Sequence, residues 1–447
     1  MSTPPPPPPV TDPAAEVRIP AGRVIAWGAW DWGSSAFNAV ATTFVFTVYL
    51  TSSSFGDANH ISAQLGWALG IAGVLVALTA PATGELTDAA GRRKLWLAVF
   101  SALVALSLLA TVFVKAEPSY LWLGIIAVAL GTVFYELAAV NYNAMLTQVS
   151  TPKTIGKVSG LGWGLGYVGG IVLLLIVYIG FISGDGGVFH VSTAGGWNIR
   201  ISMLVATIWF AVFALPVLFA VKENRVPGAI AQERSSFFGA YRVLFRTIAE
   251  LWRESRNTVW FLLASAIFRD GLTGVFTFGG ILAAGTFGFS SGQVIIFAIA
   301  ANIVAGIATI STGALDDRVG PKPVIITSLI GLVIAGALVF IFHSGGPAVF
   351  WVFGLILCLF VGPAQSASRT FLARLIPEGR EGEVFGLYAT TGRAATFLAP
   401  NAWALLITIG HSQIWGVLGI VLVLLVGLVV MIPVRPGQQK LAARRGA

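Results

Sequence analysis

Twelve helix-length stretches of this chain are apolar and almost free of charged residues. Lipid offers no partner for a backbone N–H or C=O group, so a chain that crosses a bilayer satisfies these groups within helices of about 20 apolar residues. Composition agrees, because 56% of the 447 residues are hydrophobic and 10% are charged, against roughly 25% charged in an average soluble domain. The chain is therefore predicted to be an all-α polytopic membrane protein with transmembrane helices near residues 24–51, 61–84, 95–114, 119–143, 156–182, 198–221, 257–285, 291–312, 323–342, 347–371, 383–409 and 412–433.

The basic residues predict how these helices are oriented, since Lys and Arg are retained on the cytoplasmic side during insertion. With both termini cytoplasmic, only Lys115 and Arg200 of the 27 Lys and Arg residues fall outside, and Arg269 and Arg393 lie within the membrane. The net charge of +8 then indicates contact with anionic lipid headgroups, and no nucleic-acid partner is expected. Helices rich in Ala and Gly, short loops and no organellar signal favour a bacterial inner membrane.

Composition shifts divide the chain into five predicted segments. Residues 1–23 include a run of six prolines and are expected to be a disordered cytoplasmic tail. Residues 24–221 and 257–433 each hold six apolar stretches, and residues 434–447 form a basic cytoplasmic tail. Between the two halves, residues 222–256 carry apolar side chains at helical spacing with arginines between them. This linker is predicted to contain an amphipathic helix on the membrane surface.

A motif of the form G-x-L-x-D-x-x-G-x-[RK] follows the second apolar stretch and recurs after the eighth. A basic loop that serves only membrane insertion would explain the arginines but not Asp88 and Asp317. The repeated motif resembles the cytoplasmic signature of the major facilitator superfamily. That resemblance implies two pseudo-symmetric six-helix bundles, a monomer, and a gate between alternating states formed by Gly84, Asp88, Gly91, Arg92, Gly313, Asp317, Arg318, Gly320 and Arg369.

A second internal repeat relates the fifth stretch to the eleventh. Five residues match at one fixed offset, with Gly166 opposite Gly392 and Tyr167 opposite Arg393. These two helices are predicted to be equivalent members of the two bundles.

Longer blocks resemble a narrower family, the unknown major facilitator family, which includes the autophagy-related vacuolar amino-acid effluxers. They are Trp30–Phe37, Phe46–Leu50, Tyr142–Ala144, Gly160–Tyr167, Asp270–Gly271 and Ser368–Tyr388. For the fungal members the resemblance implies efflux of neutral amino acids. The chain departs from the family pattern at Arg269, where Asn is expected, and at Arg393, where Lys is usual, so the charge preference for substrate does not carry over.

Charges within the membrane are rare and each is a candidate functional residue. The facilitator resemblance implies a central cavity lined by the first, fourth, seventh and tenth helices and flanked by the eleventh among others. The intramembrane charges fall on these helices: Asp31, Glu136, Arg269, Asp270, Arg369 and Arg393. Asp31 shares one helical face with Asn38, and Asp270 shares one with Thr273.

Removal from water favours a protonated carboxyl group, whereas a nearby cation favours the charged form, so one acid can be switched. Asp31, Glu136 and Asp270 are therefore the predicted proton-coupling residues. An arginine offers a fixed fork of donors to a carboxylate. The predicted substrate-binding residues are Asn38, Asn143, Arg269, Thr273, Gln365 and Arg393. The alternative is that Arg269, Asp270 and Arg393 form interhelical ion pairs that serve packing only.

The residues present do not support a metal site, a cofactor site or an enzyme. The single cysteine and four histidines, the latter in predicted loops or at helix ends, predict neither a metal site nor a cofactor. No phosphate-binding loop with a lysine and no HExxH motif is present, and the GxSxG match at residues 288–292 lies at the junction of two predicted transmembrane helices, without the strand–turn–helix setting of a catalytic serine. An enzyme is therefore not expected. Three functions stay open: a transporter of a small polar or zwitterionic solute driven by a proton gradient, an exporter of a larger organic compound, and a sensor or scaffold without transport.

Overall fold

The computed structural model describes residues 19–90, 92–150, 155–221, 237–376 and 381–435. Most of both predicted tails and residues 222–236 of the linker lie outside this part. Helices account for nearly all of it: α1 Ala21–Ser35, α2 Phe46–Leu50, α3 Ala58–Ala90, α4 Arg93–Thr111, α5 Leu121–Ala144, α6 Leu146–Val149, α7 Ile155–Val177, α8 Trp197–Ala220, α9 Phe237–Glu254, α10 Arg256–Gly285, α11 Ser291–Val319, α12 Pro321–Ile341, α13 Pro347–Leu375, α14 Glu381–Ala394, α15 Leu398–Gly410 and α16 Gln413–Met431.

Within the described residues, ten helices are long and apolar enough to cross a membrane. The other two predicted stretches, the first and the eleventh, are interrupted. In the first, α1 continues as a π-helix over Ala36–Phe44 before α2 begins. The hydroxyl groups of Thr42 and Thr43 both donate to the carbonyl of Asn38, which competes with the regular α-helical hydrogen bonds.

The eleventh stretch breaks between α14 and α15. Pro400 lies in the first turn of α15, where a missing N–H group is tolerated, but an unbroken helix would place this proline in its interior. The prediction of one continuous helix over 383–409 is therefore wrong at residues 395–397.

Several helices also extend beyond their predicted ends. α3 reaches Ala90 and α11 reaches Val319, so Gly84, Asp88, Gly313, Asp317 and Arg318 lie on helix ends and not in loops. The apolar stretch of a sequence marks only the part of a helix that lies in lipid. The helix can continue into water as long as its backbone hydrogen bonds continue. The turn itself contains Gly320, whose φ of 90° is a conformation that favours glycine.

Three glycines of α3 face α15 or the residues just before it and define the glycine seam: Gly66, Gly70 and Gly73. A methyl group on Gly73 would lie 2.7 Å from the backbone nitrogen of Phe397, and one on Gly66 would lie 2.9 Å from Trp403. Small residues allow this close helix packing. The seam lies toward the predicted extracellular end and joins the two predicted bundles there.

The predicted amphipathic segment of the linker is helical and contacts α3. Pro81 lies inside α3 and has no N–H group to donate to the carbonyl of Ala77. The Tyr241 hydroxyl group of α9 approaches that carbonyl at 3.3 Å and donates to the carbonyl of Leu78 at 2.5 Å. The linker helix is thus fixed at the place where Pro81 leaves a carbonyl of α3 without its helical donor.

We expect Tyr241→Phe to lower the free energy of unfolding by about 1 kcal/mol, the usual net value of one hydrogen bond. Thermal unfolding of the purified protein in detergent measures this. Tyr120→Phe is the matched control, because the Tyr120 hydroxyl group donates no hydrogen bond in the described part of the chain. Equal melting temperatures for wild type and Tyr241→Phe would contradict the assigned role.

Candidate functional site

The intramembrane charges come together across the two predicted bundles. Glu136 of α5 and Arg393 of α14 form an ion pair with 3.2 Å between Oε2 and Nε. Arg369 of α13 lies within electrostatic range of both Asp31 and Arg269, and Asp270 lies within range of Glu136. Predicted site residues far apart in sequence therefore form one charged cluster in the interior.

Asp31 is held by a tyrosine to which the sequence motifs assigned no role. The Tyr142 hydroxyl group donates to Asp31 Oδ2 at 2.8 Å. The Tyr142 ring is stacked between Trp27 and Trp30, with centroid distances of 4.5 and 4.4 Å. Gly162 of α7 lies against the carboxylate, where even a methyl group would collide. Asp31 is therefore oriented by rigid neighbours and is still partly accessible.

Glu136 and Arg393 are partly buried, with 25% and 13% of their side chains exposed. Since α5 and α14 belong to different predicted bundles, their ion pair crosses the interface at membrane depth. A desolvated charge pair of this kind is held strongly only while both partners are present. Arg393, one of the predicted substrate-binding residues, is paired with Glu136 in this structure.

Arg269 and Arg369 each lie on an aromatic ring. The Arg269 guanidinium carbon is 4.0 Å from the centroid of Tyr388, and its Nη1 donates to the Tyr388 carbonyl at 3.0 Å. Gly392 of α14 leaves room for this side chain. The Arg369 guanidinium carbon is 4.6 Å from the centroid of Trp163 on α7. Arg369 thus joins α13 to α7 across the two predicted bundles.

Asp270 has a different environment from the other two acids. It is 5% exposed, and its Oδ2 accepts from the backbone N–H of Ala399 at 2.5 Å. Ala399 lies in the first turn of α15, where amide groups are free and the helix dipole favours an anion. Asp270 therefore stabilises the restart of the broken eleventh helix, and no interhelical ion pair involving it occurs among the described residues.

We expect Asp270→Ala to lower the free energy of unfolding by about 1–3 kcal/mol, because buried amide groups of α15 would lose their acceptor. Asp270→Asn keeps an oxygen acceptor but not the charge, so it should lose less. Thermal unfolding in detergent ranks the three proteins. An Asp270→Ala protein as stable as wild type would refute the capping role.

The four uncharged polar residues that were predicted to bind substrate differ in their exposure and in their hydrogen-bond partners. Asn38 is exposed and donates to the Tyr135 hydroxyl group of α5 at 2.8 Å, so it reaches another helix. Asn143 and Thr273 are also exposed, but each donates to a carbonyl one turn back on its own helix. Gln365 is half-buried on α13. Of these four, Asn38 is the one joined to a second helix of the predicted cavity.

The predicted gating residues are only partly within the described structure. Gly91 lies outside it, as do the side chains of Asp88 and Asp317, while Arg92 and Arg318 are exposed. Two neighbouring residues make contacts there. Arg93 donates to the carbonyl of Ala144 at the end of α5 at 3.1 Å, and buried Asp316 is 3.6 Å from Arg374 of α13. Basic side chains near the C-terminal ends of helices are stabilising there.

Comparison with known proteins identifies the family of the chain. The model of a family described as "Vacuole effluxer Atg22 like" matches residues 147–443. The uncharacterized MFS-type transporter YxiO of Bacillus subtilis strain 168 is 24% identical over 416 residues, which cover 91% of this chain and 93% of YxiO. Autophagy-related protein 22 of Yarrowia lipolytica strain CLIB 122 is 22% identical over 337 residues, which cover 68% of this chain and 55% of that protein.

Solved transporters share the fold. A D-xylose-proton symporter superposes with a TM-score of 0.66 at 14% identity, and the match covers 94% of this chain and 98% of the symporter. The nucleoside transporter NupG gives a TM-score of 0.59 at 15% identity, with 92% of this chain and 97% of NupG covered. At such identities the likeness concerns the fold and not the solute.

Proposed function

This chain belongs to the Atg22-like family of vacuole effluxers and has the fold of major facilitator transporters, and from that premise we propose that it moves a small zwitterionic solute across a membrane. Amino acids are the leading candidates. Transport proceeds by alternating access with proton coupling. YxiO is bacterial and matches over nearly its whole length, which supports a bacterial inner membrane. The distribution of Lys and Arg supports cytoplasmic termini.

The observation that carries this proposal is the meeting of both signs of charge at membrane depth. Asp31 lies on α1, whereas Arg269 and Arg369 lie on α10 and α13. An ammonium group needs an acid and a carboxylate group needs a cation, and this cluster offers one from each predicted bundle. A sensor or scaffold would not need such costly groups together.

Pseudo-symmetry supports the same proposal. A methyl group added to Gly166 of α7 would lie 3.5 Å from the backbone oxygen of Asp31, and one added to Gly392 of α14 would lie 2.8 Å from Nη1 of Arg269. These two glycines are equivalent in the internal repeat. Gly166 adjoins the main chain of Asp31, whereas Gly392 adjoins the guanidinium group of Arg269. The acidic and the basic residue thus lie at corresponding positions of the two predicted bundles, which suits the two ends of a zwitterion.

The packing supports a state that is closed toward the predicted extracellular side. There the glycine seam brings α3 against α15, and Gly280 of α10 contacts the backbone of Thr43. Gln413 donates to Ser62 at 2.7 Å in the same region. Toward the cytoplasmic side, α7 and α13 meet through Arg369 and Trp163, which is 46% exposed. Contacts close to the main chain thus join the predicted bundles toward the extracellular side, whereas Arg369 and Trp163 join them through long side chains.

Counterflow tests the proposal. Proteoliposomes preloaded with an unlabelled amino-acid mixture are placed in the same mixture carrying a radiolabel, and uptake is compared with that of empty liposomes. We expect saturable exchange with the wild-type protein. No exchange above empty liposomes, with folded protein confirmed by its melting transition, would refute the amino-acid proposal and favour a larger organic solute.

A further inference from the structure

Arg269 and Arg369 share an unusual setting. Each guanidinium covers an aromatic ring, at 4.0 Å from Tyr388 and 4.6 Å from Trp163. Stacking uses the flat face of the group and leaves its N–H donors free in the plane, where they match the two oxygens of a carboxylate. Arg269 uses one donor on the Tyr388 carbonyl, and Arg369 donates to no acceptor among the described residues.

Neither guanidinium lies within 4.0 Å of a carboxylate oxygen in the described part of the chain. Arg393, the third cation of the cluster, forms an ion pair with Glu136. Asp31 is in electrostatic range of Arg369, but its close partner is the Tyr142 hydroxyl group. Within the described residues, two cations inside the membrane therefore lack the paired anion that such groups usually have.

One residue connects the two cations. Tyr388 accepts from Arg269 through its carbonyl, and its hydroxyl group is 2.7 Å from Ser368 Oγ, next to Arg369. The two guanidinium groups are also within electrostatic range of each other. Like charges repel, and the repulsion is stronger where water is scarce. A carboxylate that accepts from the free donors of both groups would offset that repulsion.

We propose that Arg269 and Arg369 together bind the carboxylate group of the transported solute, with Tyr388 and Trp163 as the platforms that orient them. This inference rests on the proposed function and deepens it. The sequence motif grouped Arg369 with the gating residues, whereas its setting makes it a specificity-determining residue. Arg393 then serves as the partner of Glu136, and Asp31 is left for the ammonium end or the proton.

Competition in counterflow tests this assignment. The competitors are the amino-acid mixture itself, the amines that correspond to it without the carboxylate, and the carboxylic acids that correspond to it without the amine. For the wild type we expect amino acids to compete best, carboxylic acids measurably, and amines least. Amines that compete as well as amino acids would overturn the proposal.

A second experiment compares the half-saturating amino-acid concentrations of variants at position 369. Arg369→Ala should raise the half-saturating amino-acid concentration at least tenfold, and Arg369→Lys should be intermediate, since lysine keeps the charge but not the fork. Arg246→Ala on the exposed face of α9 is the control and should match wild type. An unchanged half-saturating concentration in Arg369→Ala would also overturn the assignment.

A binding measurement separates this inference from the proposed function. The purified protein is heated in detergent with the carboxylic-acid mixture or with chloride at equal ionic strength. Stabilisation by carboxylates over chloride that disappears in Arg369→Ala supports the site even where no amino acid is exchanged. Equal stabilisation of wild type and Arg369→Ala refutes the site, whatever the transport assay gives.

Discussion

Arg393→Ala is expected to reduce amino-acid exchange at least tenfold, because it leaves Glu136 charged, partly buried and unpaired between the two predicted bundles. The ion pair, at 3.2 Å, crosses that interface. Loss of one partner from a desolvated pair is far more damaging than loss of both. Counterflow in proteoliposomes and thermal unfolding in detergent provide the two measurements.

The double variant Glu136→Ala with Arg393→Ala discriminates between structural and transport roles. It should regain much of the melting temperature lost by Arg393→Ala, because no unpaired charge is left, but exchange should stay low. The exposed pair Arg246 and Glu250 on α9 is the matched control, with 80% and 48% of the side chains exposed. Its removal should change stability by less than about 1 kcal/mol. Wild-type exchange by Arg393→Ala would contradict the prediction.

Asp31→Asn is expected to separate exchange from concentrative transport. Asparagine keeps the shape and an oxygen that can accept from the Tyr142 hydroxyl group, but it cannot take up a proton. Counterflow should therefore persist within a few-fold of wild type, whereas accumulation driven by an imposed proton gradient should fall at least tenfold.

Tyr142→Phe is the companion variant for this experiment. It removes the hydrogen bond to Asp31 and leaves the carboxyl group in place, so transport should be slower but still driven by the gradient. Accumulation by Asp31→Asn at the wild-type level would exclude Asp31 as the coupling residue. In that case Glu136, the other acid within the cluster that is partly accessible, becomes the candidate.

Sequence alone identified the helical membrane class and the helices that carry charge, because both depend on composition and on spacing along one chain. The internal repeat also aligned Gly166 with Gly392, and both glycines lie beside charged residues in the structure. These features are local or periodic, so a single sequence displays them.

Contacts between residues that are far apart in sequence could not be predicted from the sequence. Nothing local distinguishes Asp270, bound to the amide of Ala399, from Asp31, bound by Tyr142. The break in the eleventh helix has a local signal in Pro400, but the aromatic stacking that holds Tyr142 depends on residues over 100 positions away. The setting of Arg369 on Trp163 likewise arises only when α7 and α13 meet.

The glycine seam restricts how this protein can change over evolution. At Gly73 even one methyl group would meet the backbone of Phe397 and Thr396, and a backbone cannot be replaced by a compensating mutation. At Gly70 the neighbours are atoms of the Asn401 side chain, which a second mutation could shorten. Sequence drift along this seam is therefore confined to positions where side chains, and not main chains, are the neighbours.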